Sequence, residues 1–151
     1  MKKLFLFLTI ALLSISAQAQ EIKWMTLNQA LTAQKKKAKP IFMDAYTEWC
    51  GPCKMLDKNT FSDPKVVEHI NKNYYAVKFN AEGNESITYK GKTFTNPEYD
   101  ESRKGRNATH DLTMFLKVQG YPSMIIFNEK GDVSNVIVGY HTADELLQKL
   151  K

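Results

Sequence analysis

The sequence predicts an α/β fold in which a central mixed β-sheet carries helices on both faces. Three observations point there. Short apolar runs bounded by breakers alternate with segments whose apolar residues recur at helical spacing. The last two strand-like runs are joined by a tight turn, as in a hairpin. The chain beyond its leader also has a length that suits one domain with a single core.

The chain has 151 residues, and residues 1–19 read as a removable leader. Lys2 and Lys3 supply a positive start, Leu4 to Leu13 are mostly apolar, and Ala17-Gln18-Ala19 offers a small-x-small cleavage site. Cleavage after Ala19 leaves residues 20–151 as the exported domain, and the expected location is a periplasm. The alternative is a retained membrane anchor, but the apolar run falls short of the ~20 residues that span a bilayer. No later segment is apolar enough to cross a membrane. The formal charge of +5 includes the two leader lysines, so the excess on the domain is mild and makes no argument for nucleic acid. The densest basic run, Lys35-Lys36-Lys37-Ala38-Lys39, reads as a solvated helix end rather than a site for an anionic partner.

Each element then follows from its own residues. Thr26 caps a helix over 26–37 with Leu27, Ala30 and Leu31 on its apolar side, and Pro40 stops it. "IFMDAYT" (41–47) reads as a buried strand whose one acid, Asp44, is conspicuous. A helix starts after Cys50, tolerates Pro52 in its first turn and runs to about Asn59. Asp63 caps, and Pro64 opens, a helix over 62–73 with Val66, Val67 and Ile70 as its stripe. "YYAVKFNA" (74–81) is the next strand.

Residues 82–106 are polar, with three glycines and one proline, and have no long apolar period. They read as a solvated excursion holding a small hairpin around Lys90-Gly91-Lys92, with partner recognition as the functional alternative. Asn107 is the expected cap of a helix over 108–118 that buries Leu112, Phe115 and Leu116, with His110 near its start read as a surface residue and a ligand or a cap as the alternatives. A strand over 120–128, a turn at Glu129-Lys130-Gly131-Asp132, a strand over 133–140 and a helix opened by the Thr142/Glu145 capping box complete the chain.

The only two cysteines are Cys50 and Cys53, in "TEWCGPCK". Exported domains live where disulfides persist, yet this pair can staple nothing distant, so it reads as reactive chemistry or half a metal site. A thiolate attacks disulfides, and the mouth of a helix favours a negative sulfur. Cys50 is therefore the expected nucleophile. Cys53, one turn further in and expected to be more buried, would attack the mixed disulfide. A zinc reading needs two further ligands, and His69, His110 and His141 are scattered.

With these residues in place, the sequence resembles the thioredoxin superfamily, and within it the exported thiol–disulfide oxidoreductases of bacteria. "WCGPCK" carries the resemblance, together with Asp44 six residues before Cys50, Lys78 in "VKFN", the Gly120-Tyr121-Pro122-Ser123 loop, and Gly131 and Gly139. It spans nearly all of 22–151 apart from 82–106, which compact thioredoxins lack. It implies a thioredoxin-like fold with an insertion at about 82–106. Asp44 is then a buried acid facing Lys78 and accepting the proton of Cys53, and Pro122 is cis, setting the backbone of Tyr121 beside Cys50 to pair with an extended client. A purely structural Asp44–Lys78 ion pair is the alternative. Trp49, Gly51, Pro52, Tyr121 and Pro122 form the expected client-binding rim, with Tyr121 bulkier than the usual residue there. A role for Trp49 in the core alone is the alternative.

The resemblance further implies a monomer without a cofactor beyond the Cys50–Cys53 dithiol. Its partners would be disulfide-containing client proteins and a membrane thiol-transfer reductase that donates electrons. Gly-Pro between the cysteines accompanies low reduction potentials, so reduction of clients is the expected direction. An oxidase or isomerase, and a metal-binding or chaperone-like module without turnover, remain as alternatives.

Overall fold

The computed structural model describes residues 20–151; the leader and its cleavage site lie outside the described residues. In chain order the elements are β1 (Trp24–Met25), α1 (Leu27–Lys36), β2 (Ile41–Tyr46), α2 (Gly51–Met55), a π-helical turn (Leu56–Thr60), α3 (Pro64–Asn73), β3 (Tyr75–Asn80), β4 (Ile87–Tyr89), β5 (Lys92–Phe94), α4 (Asp111–Phe115), β6 (Ser123–Phe127), β7 (Val133–Val138) and α5 (Ala143–Lys149). A mixed five-stranded sheet has the order β1-β3-β2-β6-β7, and β4 and β5 form a separate hairpin. β1 and β2 run parallel to β3, while β6 is antiparallel to β2 and β7 to β6.

Local chemistry sets the helix boundaries. Thr26 and Gln29 close a capping box on α1, and Thr142 and Glu145 close one on α5. Asp63 accepts the Lys65 and Val66 amides ahead of Pro64, satisfying donors that the helix leaves free. The helix after Cys50 is shorter than its sequence suggests. It ends at Met55 and widens into the π turn, which the Phe61 amide closes onto the Leu56 carbonyl at 2.9 Å.

Strand alternation sorts the core into two layers. Ile41, Met43 and Ala45 of β2, with Val77 and Phe79 of β3, pack under α1, the β4–β5 hairpin and Leu112. Phe42 and Ala76 point to the other face, against Leu56, Val66, Val67, Ile70 and Leu146. Asp44 and Lys78 share the parity of Phe42 and Ala76. They therefore face the layer that holds α2, the π turn and α3.

Several expectations are corrected by the fold. The 82–106 segment is not a solvated excursion throughout, because Ile87, Tyr89 and Phe94 are buried in the main core. Its apolar residues are too few to show a period, but the hairpin points them to one side. The helix over 108–118 is reduced to Asp111–Phe115, capped by His110 instead of Asn107. His110 is wholly buried: Nε2 meets the Glu85 carbonyl at 2.6 Å and Nδ1 accepts the Leu112 amide at 3.1 Å. The tautomer with hydrogen on Nε2 satisfies both partners. Asn107 is spent instead on Asp100, and Phe115 is 49% exposed.

Candidate active site

β2 and β3 are parallel, so both end at the same edge of the sheet. The chain leaves β2 through Thr47-Glu48-Trp49-Cys50 and leaves β3 through Ala81-Glu82, and the Ala81 amide bonds the Tyr46 carbonyl at 2.8 Å. This edge gathers the redox pair and both ends of the insertion.

Cys50 is the N-cap residue of α2, and its sulfur accepts the Cys53 amide at 3.2 Å. Cys50 and Cys53 are joined in a disulfide, the oxidised form of the pair. Gly51 and Pro52 are exposed between them. The expectation that Cys53 is the more buried of the two does not hold: each is 2% exposed.

On the face of the sheet that packs against the π turn and α3 lies a charge cluster. Asp44 is fully buried, and its Oδ2 accepts the Lys78 ammonium at 2.6 Å. Asp44 and Lys78 are Cα partners across β2 and β3, so the sheet register itself brings them together. Burial raises the Asp44 carboxyl from the ordinary carboxylate range to about 6; the charge and hydrogen bond of Lys78 oppose this, and the charge of Asp57 adds a smaller upward push. Oδ1 of Asp44 is buried and has no hydrogen-bond partner among the described residues.

Lys78 also pairs with Asp57 of the π turn. Its Nζ lies 5.0 Å from the ring centroids of Trp24 and Tyr46 and 5.3 Å from that of Phe61. Three aromatic faces thus surround a cation that two carboxylates share. An open cavity of about 360 Å³ bordered by Glu21, Trp24, Asp57 and Phe61 reaches this ammonium, connecting the cluster to solvent.

On the outer side, Tyr121-Pro122 is a cis peptide, and Pro122 is buried while Tyr121 is partly exposed. The Tyr121 ring stands edge-on to Trp49, with centroids 6.0 Å apart and planes at 84°. Trp49 is partly exposed; it is not a core tryptophan. Its Nε1 donates to Glu82 Oε2 at 2.9 Å, and the Arg106 guanidinium carbon lies 4.0 Å from its ring centroid.

The structure therefore groups Asp44 with Lys78 on the face of the sheet that holds the π turn and α3, and Trp49, which precedes Cys50, with Tyr121. Sequence reasoning missed Asp57, Glu82, Arg106 and the three rings around Lys78. Glu82 and Arg106 had one signal: they bound an insertion that leaves and re-enters the fold beside the cysteines. Asp57 had none, since only the wider π turn brings it onto Lys78. Among the described residues, no group of three or more His, Cys, Asp or Glu side chains is placed to hold a metal ion, and no helix is long and apolar enough to cross a membrane.

A mixed sheet with flanking helices and a C-x-x-C disulfide at the start of one helix defines a class, the thiol–disulfide oxidoreductases. The profile of the thioredoxin-like domain matches residues 27–151, and the chain belongs to that family. It is 29% identical over 141 residues to the thiol:disulfide interchange protein DsbD of Campylobacter jejuni, covering 91% of this chain and 21% of that protein. It is 30% identical over 105 residues to the DsbD of Salmonella typhimurium, covering 70% of this chain and 14% of that one. The chain thus spans about a fifth or less of the length of these relatives.

Among solved structures, a candidate disulphide-isomerase from Bacteroides thetaiotaomicron is 29% identical, with a TM-score of 0.62 over 89% of this chain and 94% of that one. The C-terminal domain of Neisseria meningitidis DsbD, in its oxidised form, shares the fold at 20% identity and a TM-score of 0.55, over 84% and 96% of the two chains.

Proposed function

We propose that this protein is an exported protein-disulfide reductase of the periplasm. The observation that carries the reading is the Cys50–Cys53 disulfide at the start of α2, set over the face of the sheet that holds Asp44. In the reduced protein the Cys50 thiolate attacks one sulfur of a client disulfide. A Cys50–client bond forms and one client thiolate leaves. Asp44 accepts the proton of Cys53, and the resulting thiolate attacks Cys50 Sγ, releasing the second client thiolate. Two electrons pass to the client and the Cys50–Cys53 bond closes.

Asp44 suits the proton step because its carboxyl titrates near about 6 and its Oδ1 is unengaged among the described residues. Lys78 moderates its charge and, through the adjoining cavity, connects it to water. Trp49, Gly51, Pro52, Tyr121 and Pro122 form the rim on which an extended client strand lies. A membrane thiol-transfer reductase restores the dithiol, so no cofactor takes part, and the protein works as a monomer. Export rests on the N-terminal sequence pattern, and the direction of electron flow on Gly51-Pro52.

The Bacteroides structure favours a second reading, isomerisation, by its description alone. Equilibrating Cys50–Cys53 against redox buffers separates the two directions. A potential near that of thioredoxin, about −270 mV, supports reduction; one near that of protein disulfide isomerase, about −180 mV, supports isomerisation, and about −120 mV, typical of a strong oxidase, reverses the flow.

A further inference from the structure

The insertion is fastened to the active-site rim at both ends. Asn96 Nδ2 donates to the Gly83 carbonyl at 2.9 Å and to the Ala108 carbonyl at 2.7 Å, pinning the way out to the way back. Asp100 and Asn107 exchange two bonds: the Asp100 amide to Asn107 Oδ1 at 3.0 Å, and Asn107 Nδ2 to the Asp100 carbonyl at 2.8 Å. Glu82 Oε2 accepts both the Asn107 amide and Trp49 Nε1, each at 2.9 Å. One carboxylate oxygen thereby locks the returning chain onto the tryptophan that precedes Cys50.

Arg106, the residue before Asn107, is held by this lock over the face of Trp49 at 4.0 Å. Its side chain makes no ion pair within 4.0 Å and no hydrogen bond among the described residues, and the residue is exposed. A guanidinium stacked on an indole uses its face and leaves its N–H donors free around the edge. Such a fork matches the two oxygens of a carboxylate. The nearby charges are mixed. Glu82 is the acid at the same indole, engaged by Trp49 Nε1 and the Asn107 amide; Lys104 is exposed and Arg103 is paired with Asp100 at 3.6 Å, while Glu48 bonds Asn80 at 3.4 Å.

We propose that Arg106, stacked on Trp49 beside Cys50, is a specificity-determining residue that receives an aspartate or glutamate flanking the client's disulfide. The inference rests on the thiol–disulfide exchange proposed above and adds the class of client: peptide segments with an acidic residue within a few positions of the reactive cysteine. The carboxylate binds the guanidinium while the neighbouring disulfide meets Cys50, so recognition and attack occur on one rim.

The test uses reduced protein and three disulfide-linked peptides that differ only in having Asp, Ser or Lys beside the cysteine, with reduction followed by rapid mixing. At low salt the expected order is Asp, then Ser, then Lys, with Asp about fivefold to tenfold faster than Lys and the gap narrowing as salt rises. Arg106→Gln should remove the preference and Arg106→Glu should invert it. Lys130→Glu, which makes the same change in net charge in the turn between β6 and β7, should leave the order as it is.

Equal rates for the three peptides, an order that survives in Arg106→Glu, or an order that Lys130→Glu flattens equally would each overturn the assignment to Arg106. Failure of even the Ser peptide to react would overturn the exchange reading and this inference with it. Reduction of the Ser peptide without any charge preference would overturn this inference alone.

Discussion

Asp44 and Lys78 stand in register across β2 and β3 with Oδ2 and Nζ 2.6 Å apart; the carboxylate is wholly buried and the lysine side chain is 22% exposed. The pair is therefore asymmetric. The acid bears most of the desolvation, and the base keeps contact with water and with a second acid, Asp57. Burial raises the Asp44 carboxyl to about 6 against the opposing pull of Lys78.

Asp44→Asn should change how stability depends on pH. In the wild type, Asp44 binds its proton more tightly folded than unfolded, so the stability it contributes is complete below about 3.8 and is lost as pH rises through about 6. Between these limits the variant should gain on the wild type by roughly 3 kcal/mol. Urea unfolding of both oxidised proteins from pH 3 to pH 8 checks the sign. The same variant should slow release of a client from the Cys50 mixed disulfide and flatten the rise of that rate with pH near 6.

Lys78→Met should push the Asp44 carboxyl further above about 6, because the ammonium is what opposes burial there. At pH 8 the variant should lose roughly 3–5 kcal/mol, the cost of leaving a buried carboxylate without its partner. Part of that loss should return at pH 5, where Asp44 is protonated. A uniform loss at both pH values would count against this account of the pair.

Cys50→Ser should abolish disulfide reduction. Cys53→Ser should instead accumulate covalent Cys50–client adducts that a strong reductant releases, visible on non-reducing gels and identifiable by mass spectrometry. Absence of adducts in cells expressing this variant would argue against clients being reduced there.

Glu82→Ala should free both Trp49 Nε1 and the Asn107 amide. A cost of roughly 1–3 kcal/mol is expected for the unpaired donors. Hydrogen exchange should quicken at Asn107 and its neighbours while the amides of β2 and β3 keep their protection.

Ile87→Ala tests whether the insertion belongs to the core. Ile87 is fully buried, so truncation should cost roughly 2–5 kcal/mol. A solvated excursion would lose almost nothing.

Much of the fold could be read directly from the chain, because its signals are local. Thr26 with Gln29, Asp63 with Pro64, and Thr142 with Glu145 mark helix starts within a few residues, and the short runs at 41–46 and 75–80 mark the strands. The C-G-P-C motif is legible as the only cysteine pair and Asp44 as the one acid in an apolar run, whereas Lys78 and Pro122 stand out only through the resemblance to the thioredoxin superfamily. The strand β1 was not legible, since two residues carry no period. His110 was misplaced because its burial comes from Glu85 across the chain, not from its own helix.

Caps, periods and motifs act over one or two turns of chain, and they were enough to specify an α/β fold and a C-x-x-C pair at the start of a helix. Folding in three dimensions was needed to bring Asp57 onto Lys78, to set Ile87 and Phe94 in the main core, and to hold Trp49 between Glu82 and Arg106. Those contacts join residues far apart in sequence. They exist only because parallel strands end at a common edge and because a widened helical turn redirects one carboxylate, and neither can be computed from neighbours along the chain.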